Sequence, residues 1–167
     1  RGEYTGGVSV ADHYLRRGKA GSGRKTHLMV EGGAVAKLSV VFTTDWYFTG
    51  GRKQRSDYDK CFPKTDVKGD TPVQLASSGP GSDWASIMQA FFAAITRAQK
   101  HIYISTPYFL PNQAILTALK VAALSGIDVR VLIPSRSDSK IVYWATRSYI
   151  TELIEAGIKV YLYRKGF

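Results

Sequence analysis

At 167 residues, with 44% hydrophobic content, the chain is long enough for one well-packed core and short for two independent domains. No stretch approaches the roughly 20 apolar residues that a membrane-spanning helix needs, so we expect a soluble chain that meets a membrane at its surface, if at all. The single cysteine, Cys61, excludes an internal disulfide and cysteine-cluster metal sites. No metal or other cofactor is expected.

The charge of the chain is strongly positive. It has 23 Lys and Arg against 13 Asp and Glu, a net charge of +10. Such an excess favours partners that carry phosphate, including nucleic acid, anionic lipid headgroups and phosphorylated small molecules. The densest basic run is LRRGKAGSGRK, residues 15–25, which has no acid in it. This run is typical of a solvated loop, and a binding surface for an anionic ligand is the alternative.

The first part of the chain predicts a strand and then a helix. THLMVEG, residues 26–32, has the composition of a strand. Apolar residues then recur at helical spacing, at Val35, Leu38, Phe42 and Trp46. Residues 50–71 are polar and irregular, which predicts a linker or a long surface loop.

Short apolar strands alternate with amphipathic helices in the rest of the chain. PVQLASS (72–78) and HIYIST (101–106) are predicted strands. Ser82 is predicted to cap the helix between them, whose apolar face is Trp84, Ile87, Phe91, Ile95 and Ala98. Pro111 suits the first turn of the next helix, which ends near Gly126 and buries Ile115, Leu119 and Ala122.

DVRVLIP (128–134) is nearly continuous in apolar character, which predicts a strand covered on both faces. Ser137 or Asp138 is then predicted to cap one long helix that ends at Gly157, with the apolar stripe Val142, Ala145, Tyr149, Leu153 and Ala156. KVYLY (159–163) is the last strand. The alternation predicts an α/β fold with a mostly parallel sheet, flanking helices and right-handed crossovers.

In such a sheet, ligands bind beyond the carboxyl ends of the strands. Hydroxyl and guanidinium groups follow the last three predicted strands, next to the start of a helix, and these are the donors that a phosphate prefers. We call this set the carboxyl rim, and it consists of Thr106, Tyr108, Ser135, Arg136, Ser137 and Arg164. The alternative is an ordinary rim of helix caps and surface cations.

Three segments carry a resemblance to a known family. VEGGAVAKLSVVFTTDW (30–46), TPYFLP (106–111) and PSRSD (134–138) are similar to segments of bacterial cardiolipin synthases of the phospholipase D superfamily. The resemblance covers nearly the whole chain. Such enzymes have two fused α/β halves, so it implies that residues 1–49 end the first half, residues 50–71 connect the halves, and residues 72–167 begin the second. The fold would then be phospholipase D-like and incomplete at both ends.

The resemblance also implies a mechanism. In the family each half supplies one H-x-K-x4-D motif; one histidine attacks the phosphodiester and the other protonates the leaving glycerol, without a metal. None of His13, His27 and His101 has a lysine two residues later, so neither motif is present. The chain resembles the stretch between the two motifs, and we expect no catalytic residue and no activity from it alone.

The family pattern adds three candidate phosphate-binding positions near the beginning of the chain. Gly6 and Gly7 match the paired glycines that follow the first motif in the family, and Ser9 stands where the family usually has an asparagine that binds phosphate. A serine hydroxyl can still donate a hydrogen bond, but with a different geometry. Lys25 replaces an aspartate that is usual in the family, which adds positive charge.

The implied function is transfer of a phosphatidyl group between two phosphatidylglycerol molecules at the bacterial cell membrane. The implied partners are anionic phospholipid and the membrane surface, with self-association through exposed sheet edges and no role for nucleic acid. Two alternatives stay open. One is another two-motif enzyme of the superfamily, such as a phosphatidylserine synthase or a phospholipase D. The other is a noncatalytic basic domain that binds anionic lipid or nucleic acid.

Overall fold

A computed structural model describes residues 2–6, 26–51, 62, 69–79 and 84–164 of the chain. These residues fall into two compact units, the first extending to residue 86 and the second beginning at residue 87. The domain limits at residues 49 and 71 given by the family resemblance stay predictions. Ser82, the predicted helix cap, lies outside the described residues.

The first unit contains an antiparallel pair of strands and one helix. Strand β1 (Gly2–Gly6) pairs with β2 (His27–Glu31), so that Gly6 lies opposite His27. Helix α1 (Ala34–Phe48) follows directly. The sequence predicted β2 and α1 but not β1, because GEYTG contains two glycines and no alternation of apolar and polar residues.

Helix α1 is covered only along its first half. Val35 and Ser39 are its buried residues, whereas Phe42 and Trp46 are exposed. The predicted apolar stripe therefore has the correct helical spacing, but its second half is not buried. Phe42 and Trp46 instead stack on each other, with ring centroids 6.2 Å apart.

The second unit is built on a parallel sheet with the strand order β3 (His101–Ser105), β4 (Asp128–Pro134) and β5 (Lys159–Tyr163). Helix α2 (Ser86–Arg97) precedes β3, and α3 (Gln113–Leu124) connects β3 to β4. Helices α4 (Lys140–Ser148) and α5 (Ile150–Glu155) connect β4 to β5. The predicted α/β class and parallel sheet are confirmed.

The core of this unit lies on one face of the sheet. Along β4, Val129, Val131 and Ile133 are buried while Arg130 and Leu132 are exposed. The prediction that this strand is covered on both faces is therefore wrong for the described structure. Because the strands follow each other in sequence order, right-handed crossovers place both connections on the same side of the sheet. The core residues are Ile95, Phe109, Leu116, Ala118, Leu119, Ala122, Val129, Val131, Ile133, Leu153 and Ile158.

The opposite face of the sheet carries a wide open groove of about 740 Å³. Tyr103, Leu132 and Tyr161 line it and are exposed. Within the described part of the unit, β3 and β5 each have one neighbouring strand. Sheet edges of this kind can pair with another chain, and self-association stays a prediction.

A side-chain cap begins α3 and a glycine follows its end. The Asn112 side chain accepts a hydrogen bond from the backbone N–H of Ile115 at 2.9 Å, and the helix begins at Gln113. The prediction that Pro111 lies in the first turn is therefore wrong, because Asn112 supplies a side-chain cap that proline cannot. At the other end Gly126 has φ 88°, as predicted for a glycine that ends a helix.

The predicted long helix after β4 is two shorter helices. Ser139, rather than Ser137 or Asp138, is the N-terminal cap, since its hydroxyl accepts from the Val142 N–H at 3.5 Å. Helix α4 ends at Ser148, and Tyr149 separates it from α5. The Tyr149 ring packs edge-on against Phe109 at 6.3 Å, so a tertiary contact accompanies the break.

The predicted strand PVQLASS is also absent. Residues 71–79 are exposed and belong to no strand, and the described sheets offer them no pairing. A short apolar run with high strand propensity forms a strand only where a neighbour completes its hydrogen bonds.

Candidate anion-binding site

The carboxyl ends of the three parallel strands meet at one edge of the second unit. The Thr106 N–H donates to the Leu132 carbonyl at 3.2 Å, which joins the end of β3 to β4. The Ser135 N–H donates to the Tyr163 carbonyl at 2.8 Å, which joins the end of β4 to β5. The loops that carry the carboxyl rim are therefore neighbours, as the topology predicted.

A buried side chain and a local hydrogen-bonded turn both fix the loop after β3. Its Phe109 side chain is buried in the core, which anchors the segment to the helices. The Thr106 hydroxyl donates to the Tyr108 carbonyl at 3.1 Å and accepts from the Tyr108 N–H at 3.3 Å, forming a tight local turn. Tyr108 itself projects from this turn and is exposed.

Two rim residues contact Asp138, which the sequence predicted only as a helix cap. The Tyr108 hydroxyl donates to Asp138 Oδ2 at 2.7 Å, and the Ser137 hydroxyl donates to Asp138 Oδ1 at 3.3 Å. Asp138 thus connects the loop after β3 with the loop after β4. The sequence placed Tyr108 and Asp138 just beyond adjacent parallel strands, which was the available signal for their contact. Spacing along the sequence does not give the direction of a side chain, so the hydrogen bond itself was not predicted.

Ser137 also stabilises the loop in which it lies. Its hydroxyl oxygen accepts from the Ser139 N–H at 3.3 Å, next to the start of α4. A small cavity of about 10 Å³ lies behind this loop, lined in part by Ser137, Pro107 and Thr146. The Thr146 hydroxyl is buried and has no hydrogen-bond partner within the described residues. The cavity is close to the size that holds one water molecule.

Arg136 and Arg164 supply the positive charge of the rim. Both side chains are exposed, and within the described part of the chain neither forms an ion pair. Arg136 follows β4 and Arg164 follows β5, so the two cations stand at the ends of paired strands. Two guanidinium groups without an acidic partner can offer charge-assisted hydrogen bonds to an anion.

Arg130, by contrast, forms an ion pair with Asp128 near the amino end of β4. Its Nε donates to Asp128 Oδ2 at 2.9 Å, and Lys159 Nζ contacts Asp128 Oδ1 at 2.8 Å. The Tyr103 hydroxyl donates to the same carboxylate at 3.0 Å, and the Arg130 guanidinium lies 4.9 Å from the centroid of the Tyr103 ring. This cluster links all three strands.

The remaining candidate positions belong elsewhere in the chain. Gly6 ends β1 in the first unit, where an added Cβ would lie 2.6 Å from His27 Nδ1. This close approach gives the glycine a packing reason of its own. Gly7 and Ser9 lie outside the described residues.

The chain is similar to proteins of one family. A family model described as "Cardiolipin synthase, PLD-like domain" matches residues 91–167. Curated relatives that share this name match 98% of the chain. The cardiolipin synthase of Geobacillus kaustophilus is 49% identical over 166 residues, that of Alkalihalophilus pseudofirmus 46% over 165, and cardiolipin synthase 1 of Staphylococcus aureus 43% over 166.

Over nearly its whole length, the chain is similar to cardiolipin synthases. It spans about a third of the length of these relatives, 33% of the first two and 34% of the third. The region matched by the family model includes every residue of the carboxyl rim. The solved structure of a polyphosphate kinase from Porphyromonas gingivalis is similar over 60% of this chain and 18% of that one, at 15% identity and a TM-score of 0.37. A similarity this low establishes neither a shared fold nor a shared function.

The described residues contain neither a cluster of metal ligands nor a helix that could span a membrane. Among them, no group of three or more His, Cys, Asp and Glu side chains could hold a metal ion. The helices of the described segments include none with the length and apolar character needed to cross a bilayer.

The charge cluster around Asp128 leads to a prediction about acid stability. Hydrogen bonds from Arg130, and then from Lys159, hold the pKa of Asp128 well below its ordinary value of 3.8. A carboxyl whose pKa is lowered by folding stabilises the fold above its unfolded pKa, and that contribution is lost as the pH falls below about 4. We therefore expect Asp128→Asn to lower the urea midpoint at neutral pH and to make its decline in acid shallower.

The measurement is a urea titration followed by the NMR signals of β4 amides at several pH values. Glu155→Gln is the matched control, because this exposed acid of the same unit forms no ion pair within the described residues. The effect should be modest, since ion pairs at exposed positions are individually weak. Equal acid dependence in the Asp128→Asn variant and the unchanged chain would contradict the prediction.

Proposed function

We propose that the chain works in a cardiolipin synthase, where its carboxyl rim binds the phosphate of phosphatidylglycerol during phosphatidyl transfer. The observation that supports this role is the pair of exposed guanidinium groups, Arg136 and Arg164, which have no acidic partner among the described residues. The family match over residues 91–167 covers this rim. The Ser135 hydroxyl lies in the same loop as Arg136, and the Thr106 hydroxyl lies in the neighbouring loop after β3.

The proposed reaction has two steps. A histidine nitrogen forms a bond to the phosphorus of one phosphatidylglycerol, the bond from phosphorus to the terminal glycerol oxygen breaks, and a second histidine protonates that oxygen. The glycerol hydroxyl of another phosphatidylglycerol then gives its proton to the second histidine and attacks the phosphorus of the phosphohistidine. The bond from phosphorus to nitrogen breaks, which releases cardiolipin and regenerates the first histidine. None of the three histidines of this sequence stands in an H-x-K-x4-D motif, so we assign both catalytic roles to histidines outside it.

The rim would act through electrostatics and position. In both steps negative charge builds up on the non-bridging oxygens of the phosphate, and fixed cations close to those oxygens stabilise it. Asp138 accepts hydrogen bonds from Tyr108 and Ser137 and so holds the two loops together. Its negative charge also repels anions from its own part of the rim, which favours binding at the arginines.

The test is binding of inorganic sulfate, followed by NMR titration of the labelled chain. We expect weak binding, on the order of millimolar, that declines as ionic strength rises, because the site is open to solvent. Arg136→Ala and Arg164→Ala should each weaken it by up to about fivefold, which corresponds to the ~1 kcal/mol upper range of an exposed charge pair.

Arg97→Ala is the matched control, since Arg97 is an exposed arginine of the same unit at the end of α2. It should leave the affinity unchanged. Chemical shift changes confined to residues 15–25, with the rim amides silent, would refute the proposed site and leave general electrostatic attraction as the explanation.

A further inference from the structure

Helix α4 presents two large apolar side chains to solvent. Ile141 is 82% exposed and Trp144 is 69% exposed. Residues three apart lie on the same face of a helix, so the two side chains form one apolar patch. The Trp144 ring also contacts the Tyr143 ring edge-on, at a centroid distance of 5.4 Å. The opposite side of the helix is covered, with Thr146 as its buried residue.

Positive charge borders this patch. Lys140 is exposed and lies four residues before Trp144, one turn of the helix away. Arg136 is exposed in the loop that leads into α4. The Arg147 guanidinium lies 4.3 Å from the centroid of the Tyr143 ring, on the flank of the same helix. We call Ile141 and Trp144 with Lys140 the α4 surface.

The geometry points to the α4 surface as the site at which the chain docks on an anionic lipid bilayer. Amphipathic helices that lie at a membrane surface combine aromatic and aliphatic side chains on one face with Lys or Arg beside them. Tryptophan prefers the boundary between headgroups and acyl chains, and lysine can extend its charge to the phosphates. This inference rests on the proposed function, because it supplies the orientation in which the carboxyl rim would meet lipid phosphates.

The position of the patch favours a bilayer over a protein partner. Ser139 caps α4 and the rim residue Ser137 donates to Asp138 directly before it, so the α4 surface continues the rim. Insertion of Ile141 and Trp144 at the acyl boundary would place Arg136 and Lys140 at the level of the headgroups. A stable protein interface buries roughly 800 Å² on each side, far more than two side chains of a nine-residue helix provide.

The experiment is cosedimentation of the 167-residue chain with sucrose-loaded vesicles containing equal amounts of phosphatidylglycerol and phosphatidylcholine. The variant Ile141→Ser/Trp144→Ser should partition at least about fivefold less, since half-burying each side chain contributes to binding in proportion to its apolar area. The matched control is Tyr47→Ser/Phe48→Ser on α1, where the two aromatics are 77% and 81% exposed. That control should partition like the unchanged chain.

A second variant tests the charge. Lys140→Gln should lower partitioning on these vesicles by about fivefold and leave partitioning on pure phosphatidylcholine vesicles unchanged, because a cation near an anionic surface gains about 1 kcal/mol. Both α4 variants should keep the sulfate affinity of the unchanged chain to within about twofold, since neither removes a rim residue.

The outcomes separate the inference from the proposed function. No binding of the unchanged chain to vesicles, or equal losses in the α4 and α1 double variants, would overturn the docking surface while the sulfate titration judges the rim independently. A dimer that becomes a monomer in the α4 double variant, with vesicle binding unchanged, would overturn it in favour of a second copy of the chain. Selective loss in the α4 variants alone supports it.

Discussion

Incubated with phosphatidylglycerol vesicles, the purified 167-residue chain is expected to produce no cardiolipin and no glycerol. The reason is chemical: the residues two positions after His13, His27 and His101 are Leu15, Met29 and Tyr103. No histidine is therefore placed in an H-x-K-x4-D motif to attack phosphorus, and none is placed to protonate the leaving glycerol. Loss of a nucleophile or of its acid–base partner typically lowers turnover by several orders of magnitude.

The assay measures glycerol release and cardiolipin formation over time. The cardiolipin synthase of Geobacillus kaustophilus, 49% identical over the matched region, is the positive control for lipid presentation and detection. Product above the buffer background, at a rate that scales with chain concentration, would show that a histidine outside the expected motif can catalyse transfer. His101→Ala would then identify whether that histidine is the one at the start of β3.

We expect the chain to bind an anion although it has no transferase activity. The carboxyl rim should still bind sulfate in a chain that transfers nothing, because the ends of β4 and β5 determine the position of its arginines. Arg136 follows β4 and Arg164 follows β5, and β5 pairs over its whole length with the Arg130–Pro134 part of β4. A chain that binds the anion without turnover is what the proposed division of roles requires.

The strands and helices of the second unit were predictable because each has a strong local signal. HIYIS, DVRVLIP and KVYLY are short apolar runs rich in β-branched and aromatic residues, and all three form strands. Gly126 and Gly157 were expected to end helices, and both have φ values that favour glycine, 88° and 84°. The order of such elements then determines a parallel sheet with little ambiguity.

Burial was less predictable than element type. Leu132 and Phe91 look like core residues by their spacing, yet they are 36% and 63% exposed. Periodicity identifies which residues share a face, but only the surrounding elements decide whether that face is covered. Both crossovers pack on one side of the sheet, and the described residues leave its other side open.

The candidate site, too, could be predicted from the sequence only in part. Its location followed from the rule that ligands bind beyond the carboxyl ends of parallel strands. The hydrogen bond from Tyr108 to Asp138 did not, because it joins two loops 30 residues apart. Side-chain direction in such loops depends on local turns, here the one closed by the Thr106 hydroxyl.

Replacement of Leu119 by alanine is expected to destabilise the second unit by about 2–5 kcal/mol, the range for deleting a buried leucine side chain. Leu119 is fully buried in α3, in the cluster that includes Val129 and Val131 of β4. The loss is a large fraction of the 5–15 kcal/mol that stabilises a typical domain.

Leu124→Ala is the matched control, since this leucine ends the same helix and is 72% exposed. It should change stability by no more than about 0.5 kcal/mol. Urea unfolding should be followed by β4 amide signals, because the chain has two units and a single global transition cannot be assumed. Equal midpoints for the two variants would contradict the assignment of α3 to the core. A much lower urea midpoint for Leu119→Ala than for Leu124→Ala would show that α3 belongs to the core. If sulfate still shifts the rim signals below that transition, the core helices hold β3 and β4 in place, and with them the loops of the candidate site.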